Sequence, residues 1–481
     1  MTTTALAHRL TRNSRYIAWL ISDTAKGLAS ALFGFAIPLI VLFVTNDPAQ
    51  AGIIGAVGMA VRTLTTLLGG VLADRHQRIA MMVLGSAIGA VLAAGFMLLA
   101  LGDALTFTTL LVAEVLLAAR TGLFDVAGES ALKEIVPSDA MGRAQAANQG
   151  RNAVLELAGG PLGGVLLAVG GWLIGAAMTV CHVIAMVTAW MLQRSADRSA
   201  SRIPDDSATP ARGGLDHGDD SGDTPRVAPR NARGASDRLG FGTADAGTAD
   251  AATAEVGMVA AVHTAIKPNA RREIAEGFRW LLSRPDLRGV LFVATVINLG
   301  FSTAMTTIIY ALQQQGETPL TIGLLATGAG VAMLLGALVA PLLVSRVRAG
   351  VAIIAGLAVS TVGIFVLIPV HEPLALAVAL GAIVFFVPTV NAALMGYFMV
   401  ATPSELLGRA NSASAVLGMG AMPLAPIIAG FGLSLIGREL TLVVAAALCA
   451  AAVLLAFSNR ALRALPIESG WTAHAHQFEG E

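Results

Sequence analysis

Charge is what this chain has least of. Its 31 basic and 31 acidic residues make up 13% of 481 positions, where a soluble domain spends about a quarter. So few charges cannot coat a water-facing surface. Their even balance gives no reason to expect nucleic acid or another polyanion as partner. Cysteine is nearly absent. Cys181 and Cys449 both sit in apolar runs, which excludes a disulfide framework and points to no zinc site. Five Trp and three Tyr are few for a site that stacks sugars. No phosphate-cradling Gly motif with Lys, no nucleophile constellation and no metal-ligand cluster occurs. Neither an enzyme nor a bound cofactor is expected, and ATP hydrolysis within the chain is not.

Apolar sequence is what the chain has instead. Hydrophobic residues reach 55% and the mean hydropathy is +0.73. A helix crosses the hydrocarbon core with about 20 apolar residues. Twelve such stretches are present. Six begin near Tyr16, Ala49, Ile79, Thr106, Ala144 and Trp172, and six near Arg288, Pro319, Val351, Pro373, Ala410 and Glu439. The runs are unbroken and do not alternate polar with apolar, which predicts helices and not a barrel. The N-terminus is polar and basic up to Arg15. The run after it is too long for a signal-peptide core and lacks a clear cleavage site.

The loops predict orientation. One set carries Arg9, Arg12, Arg15, Arg75, Arg78, Lys133, Arg143, Arg346, Arg348, Arg409, Arg460 and Arg463. The other carries Asp47, Asp103, Glu317 and Glu372, with Arg438 as its one basic residue. Basic loops stay in the cytoplasm, so both termini are predicted inside a cell membrane. Between Arg194 and Ala270 the apolar pattern stops. That Gly-, Pro-, Ser- and charge-rich stretch reads as a disordered cytoplasmic linker. Then ARREIAEGFRWLLSRPDLRG reads as an amphipathic surface helix with Ile274, Phe278, Leu281 and Leu282 on one face. Pro285 separates it from the seventh span.

Two stretches match each other. VPSDAMGRAQA (136–146) precedes the fifth span and TPSELLGRANS (402–412) the eleventh. A Gly/Pro-containing span follows each, which predicts six spans duplicated in one orientation. On these features the chain resembles the major facilitator superfamily, in particular its drug/proton antiporters, macrolide efflux proteins and the enterobactin exporter among them. GGVLADRHQR (69–78) is similar to the loop motif G-x-x-x-D-R-x-G-R-R through Gly70, Asp74, Arg75 and Arg78, while Gln77 and Ile79 depart from it. GPLGG (160–164) resembles the antiporters' span-five Gly-Pro motif, one residue shorter, with Gly160, Pro161 and Gly164 as hinge and packing residues. IAEGFRWLLSRPDLRGVLF and VPSDAMGRAQAANQ are like phrases of the macrolide-efflux group.

The resemblance implies an all-α membrane protein with twelve transmembrane helices in two six-helix bundles. Residues 1–193 would form the first bundle and 194–270 the linker. The amphipathic helix and second bundle would occupy 271–464, and a cytoplasmic tail 465–481. It also implies a cytoplasmic latch in which Asp74 meets the start of the eleventh span, near Ser404 to Arg409. A carboxylate at a helix N-terminus is worth about 0.3–1 kcal/mol when exposed, weak enough to release. Arg78 would pair with Asp125 or Glu129. The plainer alternative keeps Arg75 and Arg78 as topology anchors only.

Ionisable residues inside spans cost about 2.5–3.5 kcal/mol each at the helix centre. They fall in the first half: Asp23, Lys26, Arg62, Glu114, Arg120, Arg151, Glu156 and His182. Asp23 and Lys26 lie three apart and can neutralise each other. Arg62, about 18 Å from Asp74 along the helix, needs a partner, with Glu114 and Asp23 as candidates. Asn148, Asn152 and Glu156 recur every four residues, so they share a face that could line a cavity or bond between helices. A coupled antiporter needs a carboxyl that titrates between two exposures. Glu156 and Glu114 are the candidates, Glu156 first because it sits deeper. Arg120 or Arg62 would modulate it, with His182 as a further titratable group. The expected function is proton-coupled export of amphipathic organic molecules by a monomer in membrane lipid. Importer, lipid flippase and non-transporting sensor remain as alternatives.

Overall fold

A computed structural model describes residues 13–136, 141–200, 279–403, 414 and 420–478. Contacts divide the chain into one unit of residues 1–195 with 266–481 and a second of residues 196–265. The bundles form the first. Past position 200 the expected linker lies outside the described residues.

The first bundle comprises α1 (Ser14–Thr45), α2 (Pro48–Arg75), α3 (Arg78–Leu101), α4 (Phe107–Ile135), α5 (Met141–Val169) and α6 (Gly171–Ala200). The second comprises α7 (Pro285–Gln314), α8 (Pro319–Arg346), α9 (Ala349–Leu367), α10 (Pro373–Phe385), α11 (Val387–Ala401), α12 (Leu424–Leu435) and α13 (Gly437–Ser458). Two short helices follow, α14 (Arg460–Ala464) and α15 (Trp471–Ala475). Local signals set the starts. Asn13 accepts from the N–H groups of Arg15 and Tyr16, Asp47 from Ala49, and Thr318 from Thr321. Thr106 and Thr109 form a capping box. Proline opens α2, α7, α8 and α10, where its missing N–H would be unpaired anyway.

Ten described spans are long and apolar enough to cross a membrane. At 29 residues α4 is long enough but carries Glu114, Arg120, Asp125 and Glu129. The eleventh span is described mainly as α12. No strand occurs among the described residues. Two span details differ from expectation. The tenth span is two helices broken at Phe386, where Pro388 removes a backbone donor. The seventh begins at Pro285, not Arg288. Of the amphipathic face before it, Ile274 and Phe278 lie outside the described residues, while Leu281 is buried and Leu282 exposed.

The described part of the tail, residues 465–478, folds back on the second bundle. Trp471 is buried, edge-on to Tyr397 with centroids 6.5 Å apart. Ala349 N–H donates to Pro466 O at 3.1 Å. Leu465, Trp471 and Ala475 belong to one apolar cluster with Ile353, Leu394 and Phe398. An indole in a short tail has a large area to bury, and the end of α11 supplies the surface.

The end with Arg15, Arg75, Arg78, Arg346 and Arg460 is called the basic end, the other the far end. The bundles join through α2 on α12, α5 on α8 and α1 on α7. These seams lie toward the far end. A Cβ on Gly52 or Gly430 would collide with a backbone oxygen across the α2–α12 seam, and on Gly323 across the α5–α8 seam. Small residues let the backbones approach closely. Beside them Leu39 of α1 packs in the core of the second bundle, and Tyr310 and Leu433 in the core of the first.

Candidate functional site

Two adjoining chambers lie on the basic-end side of this seam. The first, about 400 Å³, is polar and built by the first bundle alone. α1 supplies Asp23 and Lys26, α2 Arg62, α4 Asp125 and Glu129, and α5 Arg151, Asn152 and Glu156. A ladder of ions crosses its wall. Arg151 Nη2 donates to Asp23 Oδ2 at 2.6 Å, and Lys26 Nζ lies 3.0 Å from Asp23 Oδ1 and 3.7 Å from Asp125 Oδ1. Arg120 Nη2 donates to Asp125 Oδ1 at 3.2 Å. Its Nη1 lies 3.5 Å from His182 Nδ1.

Packing holds the ladder in place. Gly128 of α4 leaves the room it occupies, since a Cβ there would lie 2.8 Å from Asp23 Oδ1. Trp19 Nε1 donates to Gly128 O at 2.8 Å, and the Arg151 guanidinium sits 5.5 Å from the Trp19 ring centre. Buried charges persist only when paired. Asp23 and Asp125 each touch two cations. Glu156, Glu129 and Arg62 are different. Their side chains are exposed and, among the described residues, make no ion pair.

The second chamber, about 510 Å³, is apolar. Leu157 of α5 faces Phe301, Met305, Met333 and Val384 of the second bundle across it. Pro388, at the break in the tenth span, lines it too. Its polar exceptions are Glu156 and Asn391. Glu156 lines both chambers. An unpaired carboxyl on this border can hold a proton or meet the cationic end of a guest, while the apolar wall takes the hydrocarbon.

The other expected residues scatter around this pair. Glu114 is the more enclosed carboxyl, the reverse of the expected ranking. It packs over Gly58, and its Oε2 is buried without a hydrogen-bond partner among the described residues. Among the described residues Arg62 forms a close ion pair with neither candidate, Glu114 or Asp23. Arg120 pairs with Asp125 and faces α6 at the level of His182. His182 is buried against Gly89. The α5 stripe divides: Asn148 is buried, while Asn152 and Glu156 are exposed. The drift of a four-residue repeat around the helix accounts for this.

At the basic end, Arg78 does not reach Asp125 or Glu129. It pairs with Glu134 at 3.0 Å and donates to Ser130 O at 3.3 Å. Glu134 lies nine residues beyond Asp125, about 13 Å further along α4 and level with the start of α3. Gly70 faces open space and Arg75 is exposed. The latch itself lies outside the description: the Asp74 side chain and Arg409 are not among the described residues. Gly160 and Gly164 lie at the α5–α8 seam beside Gly323 and Pro319, with Pro161 between them.

Sequence reasoning missed Asp125 as the centre of the ladder and Arg151 as the partner of Asp23. The Asp23–Arg151 contact joins positions 128 apart, a separation that no local spacing reveals. Among the described residues no group of three or more His, Cys, Asp or Glu is placed to hold a metal ion.

Comparison with known proteins agrees with this architecture. The Major Facilitator Superfamily model matches residues 24–239. No curated protein matches. A solved structure, described as a bacterial homologue of the iron transporter ferroportin in an inward-facing state, is similar with a TM-score of 0.63. The likeness covers 94% of this chain and 99% of that one at 12% identity, which speaks for the fold alone. The chain has the major facilitator fold: two helical bundles meeting along α2–α12 and α5–α8.

Proposed function

We propose that this chain is a proton-coupled exporter of amphipathic organic compounds that works by alternating access, with Glu156 as the proton-carrying group. One observation carries the reading: Glu156 is unpaired where a polar chamber adjoins an apolar one. The polar chamber presents four carboxylates and three cations, most of them already spent on each other. The apolar chamber suits a guest with a large hydrocarbon part. A drug, macrolide or siderophore-like molecule fits this pairing better than a sugar. Similarity to the drug/proton antiporters in the loop motif at Gly70–Arg78 and in GPLGG (160–164) adds support. With the basic loops in the cytoplasm, the far end, toward which the seams lie, faces outward and the chambers face inward. Both termini are then cytoplasmic, and the protein sits in the cell membrane. The latch of Asp74 on the Ser404–Arg409 region would hold the opposite state. The protein works as a monomer, each bundle rocking about the seam.

The test is proton flux in everted membrane vesicles. A respiration-driven pH gradient is set up, and macrolides, lipophilic cations and siderophores are added singly. At least one compound is expected to collapse the gradient partly. Glu156→Gln is expected to abolish that response while leaving the amount and melting temperature of the protein unchanged. A protein that is folded and inserted yet responds to none of these compounds would sink the reading.

A further inference from the structure

A cavity of about 790 Å³ opens at the basic end of the second bundle, away from both chambers. Three segments wall it. The first turns of α7 give Arg288 and Phe292. The end of α13 and the residue after its cap give Leu455 and Arg460. The folded tail gives His474 and Gln477. The frame is firm. A Cβ on Gly289 would collide with the Asn459 side chain, so the ends of α7 and α13 are in close contact. Asn459 also caps α14 by accepting from Leu462 N–H at 3.1 Å. Arg284 Nη2 donates to Ala475 O at 3.3 Å and ties the tail to the helix ends.

The chemistry of the lining is one-sided. Arg288 and Arg460 are both exposed, and neither has an ion pair among the described residues. No carboxylate is among the described lining residues. Both arginines stand where their helices leave the apolar layer, since α7 begins at Pro285 and α13 ends at Ser458. Below them Phe292 and Leu455 expose nearly half their surface. A phosphate with two acyl chains meets each of these demands. Guanidinium forks bind phosphate oxygens bidentately, and apolar side chains one or two turns deeper receive the chains. Topology alone would need the charges but not the cavity. Arg346 and Arg348, on the neighbouring α8–α9 connection, supply charge of that kind and do not line it.

We propose that this cavity binds the headgroup of an anionic phospholipid from the leaflet at the basic end, with the folded tail as its outer wall. The site is independent of what the central chambers carry, so its test needs no transport. The full-length protein is purified in detergent, mixed with equal amounts of phosphatidylglycerol and phosphatidylcholine of the same acyl chains, and examined by native mass spectrometry. Bound phosphatidylglycerol is expected to exceed phosphatidylcholine by about fivefold or more. The Arg288→Gln/Arg460→Gln pair should erase the preference, and Arg460→Gln alone should reduce it should the pair not fold. Arg346→Gln/Arg348→Gln should leave it intact. Equal retention of the two lipids, or a preference unchanged in both pocket variants, overturns the proposal. Displacement of the lipid by excess glycerol 3-phosphate also overturns it and gives the cavity to a soluble phosphate compound.

Discussion

The two bundles hold their basic ends together in different ways. In the first, α1, α4, α5 and α6 meet through the ladder from Arg151 to His182, beside buried apolar side chains that include Tyr16, Trp19, Leu132 and Leu192. In the second, α7, α9 and α11 meet through a broad apolar cluster that takes in Tyr397 and the Trp471 of the tail. Lipid tails are as apolar as leucine, so burying apolar surface gives little drive for helices to associate in a membrane. The second bundle relies on dispersion and close packing. The first adds buried charge to such packing, and that charge costs desolvation and tolerates no missing partner. The difference matches the division of labour in the chambers. Under the proposed function, a wall that presents titratable groups is stiffened by charges, and a wall that accepts hydrocarbon is stiffened by hydrocarbon.

The largest effect should follow from breaking the ladder. Asp23→Asn leaves Lys26 and Arg151 beside each other with half their compensation gone. Removing one partner of a buried pair typically costs about 3–5 kcal/mol. Thermal unfolding in detergent should show this loss, and Lys26→Met in the same chain should restore part of it. Glu156→Gln, one helix away in the same chamber, should cost almost nothing in stability. If the two substitutions destabilise equally, the distinction between a structural anion and a working one is lost.

That distinction was only partly readable beforehand. The spans, the duplication and the concentration of ionisable residues in the first half all follow from periodicity and composition, and the bundles follow from those. The i,i+3 spacing of Asp23 and Lys26 announced their pair. Spacing could not say that Asp125, placed at the latch by resemblance, turns inward between Lys26 and Arg120. Nor could it say which carboxyl on the α4–α5 side would end enclosed. Those outcomes depend on which helix faces meet, and contacts such as Asp23 with Arg151 span most of a bundle. The docking of the tail was not readable for a related reason. Its single Trp471 has no periodic neighbours, and its binding surface at Tyr397 and Gly396 exists only once the tenth span has folded.

A smaller effect should come from the seam, where the bundles differ least. Gly52 on α2 and Gly430 on α12 bring two backbones together at the far end. Gly430→Val overpacks that contact, at a cost of about 1–3 kcal/mol. The strain falls on the state in which the far end is closed. The expected result is a shift toward a far-end-open state, read as slower labelling of Asn152→Cys in the polar chamber by a thiol reagent added at the basic end. Cys181 and Cys449 are buried and give little background. Gly95→Val, on a face with nothing within 4 Å of its added carbon, should label like the parent. Equal labelling of all three would mean that the seam does not gate access.

The smallest effect tests whether the contrast between the bundles stops at the surface. Arg78 and Glu134 pair at 3.0 Å, but their side chains keep 27% and 48% of their exposure. Water and salt screen such a pair, which is worth about 0.2–1 kcal/mol. Arg348 opens the corresponding connection of the second bundle and has no ion pair among the described residues. Arg78→Gln should therefore lower stability slightly and Arg348→Gln hardly at all. The gap between them should vanish in about 1 M salt, where the screening length falls to about 3 Å. A salt-resistant loss of several kcal/mol at Arg78 would instead make this surface pair a further rung of the buried ladder. The first bundle would then depend on charge along its whole basic end.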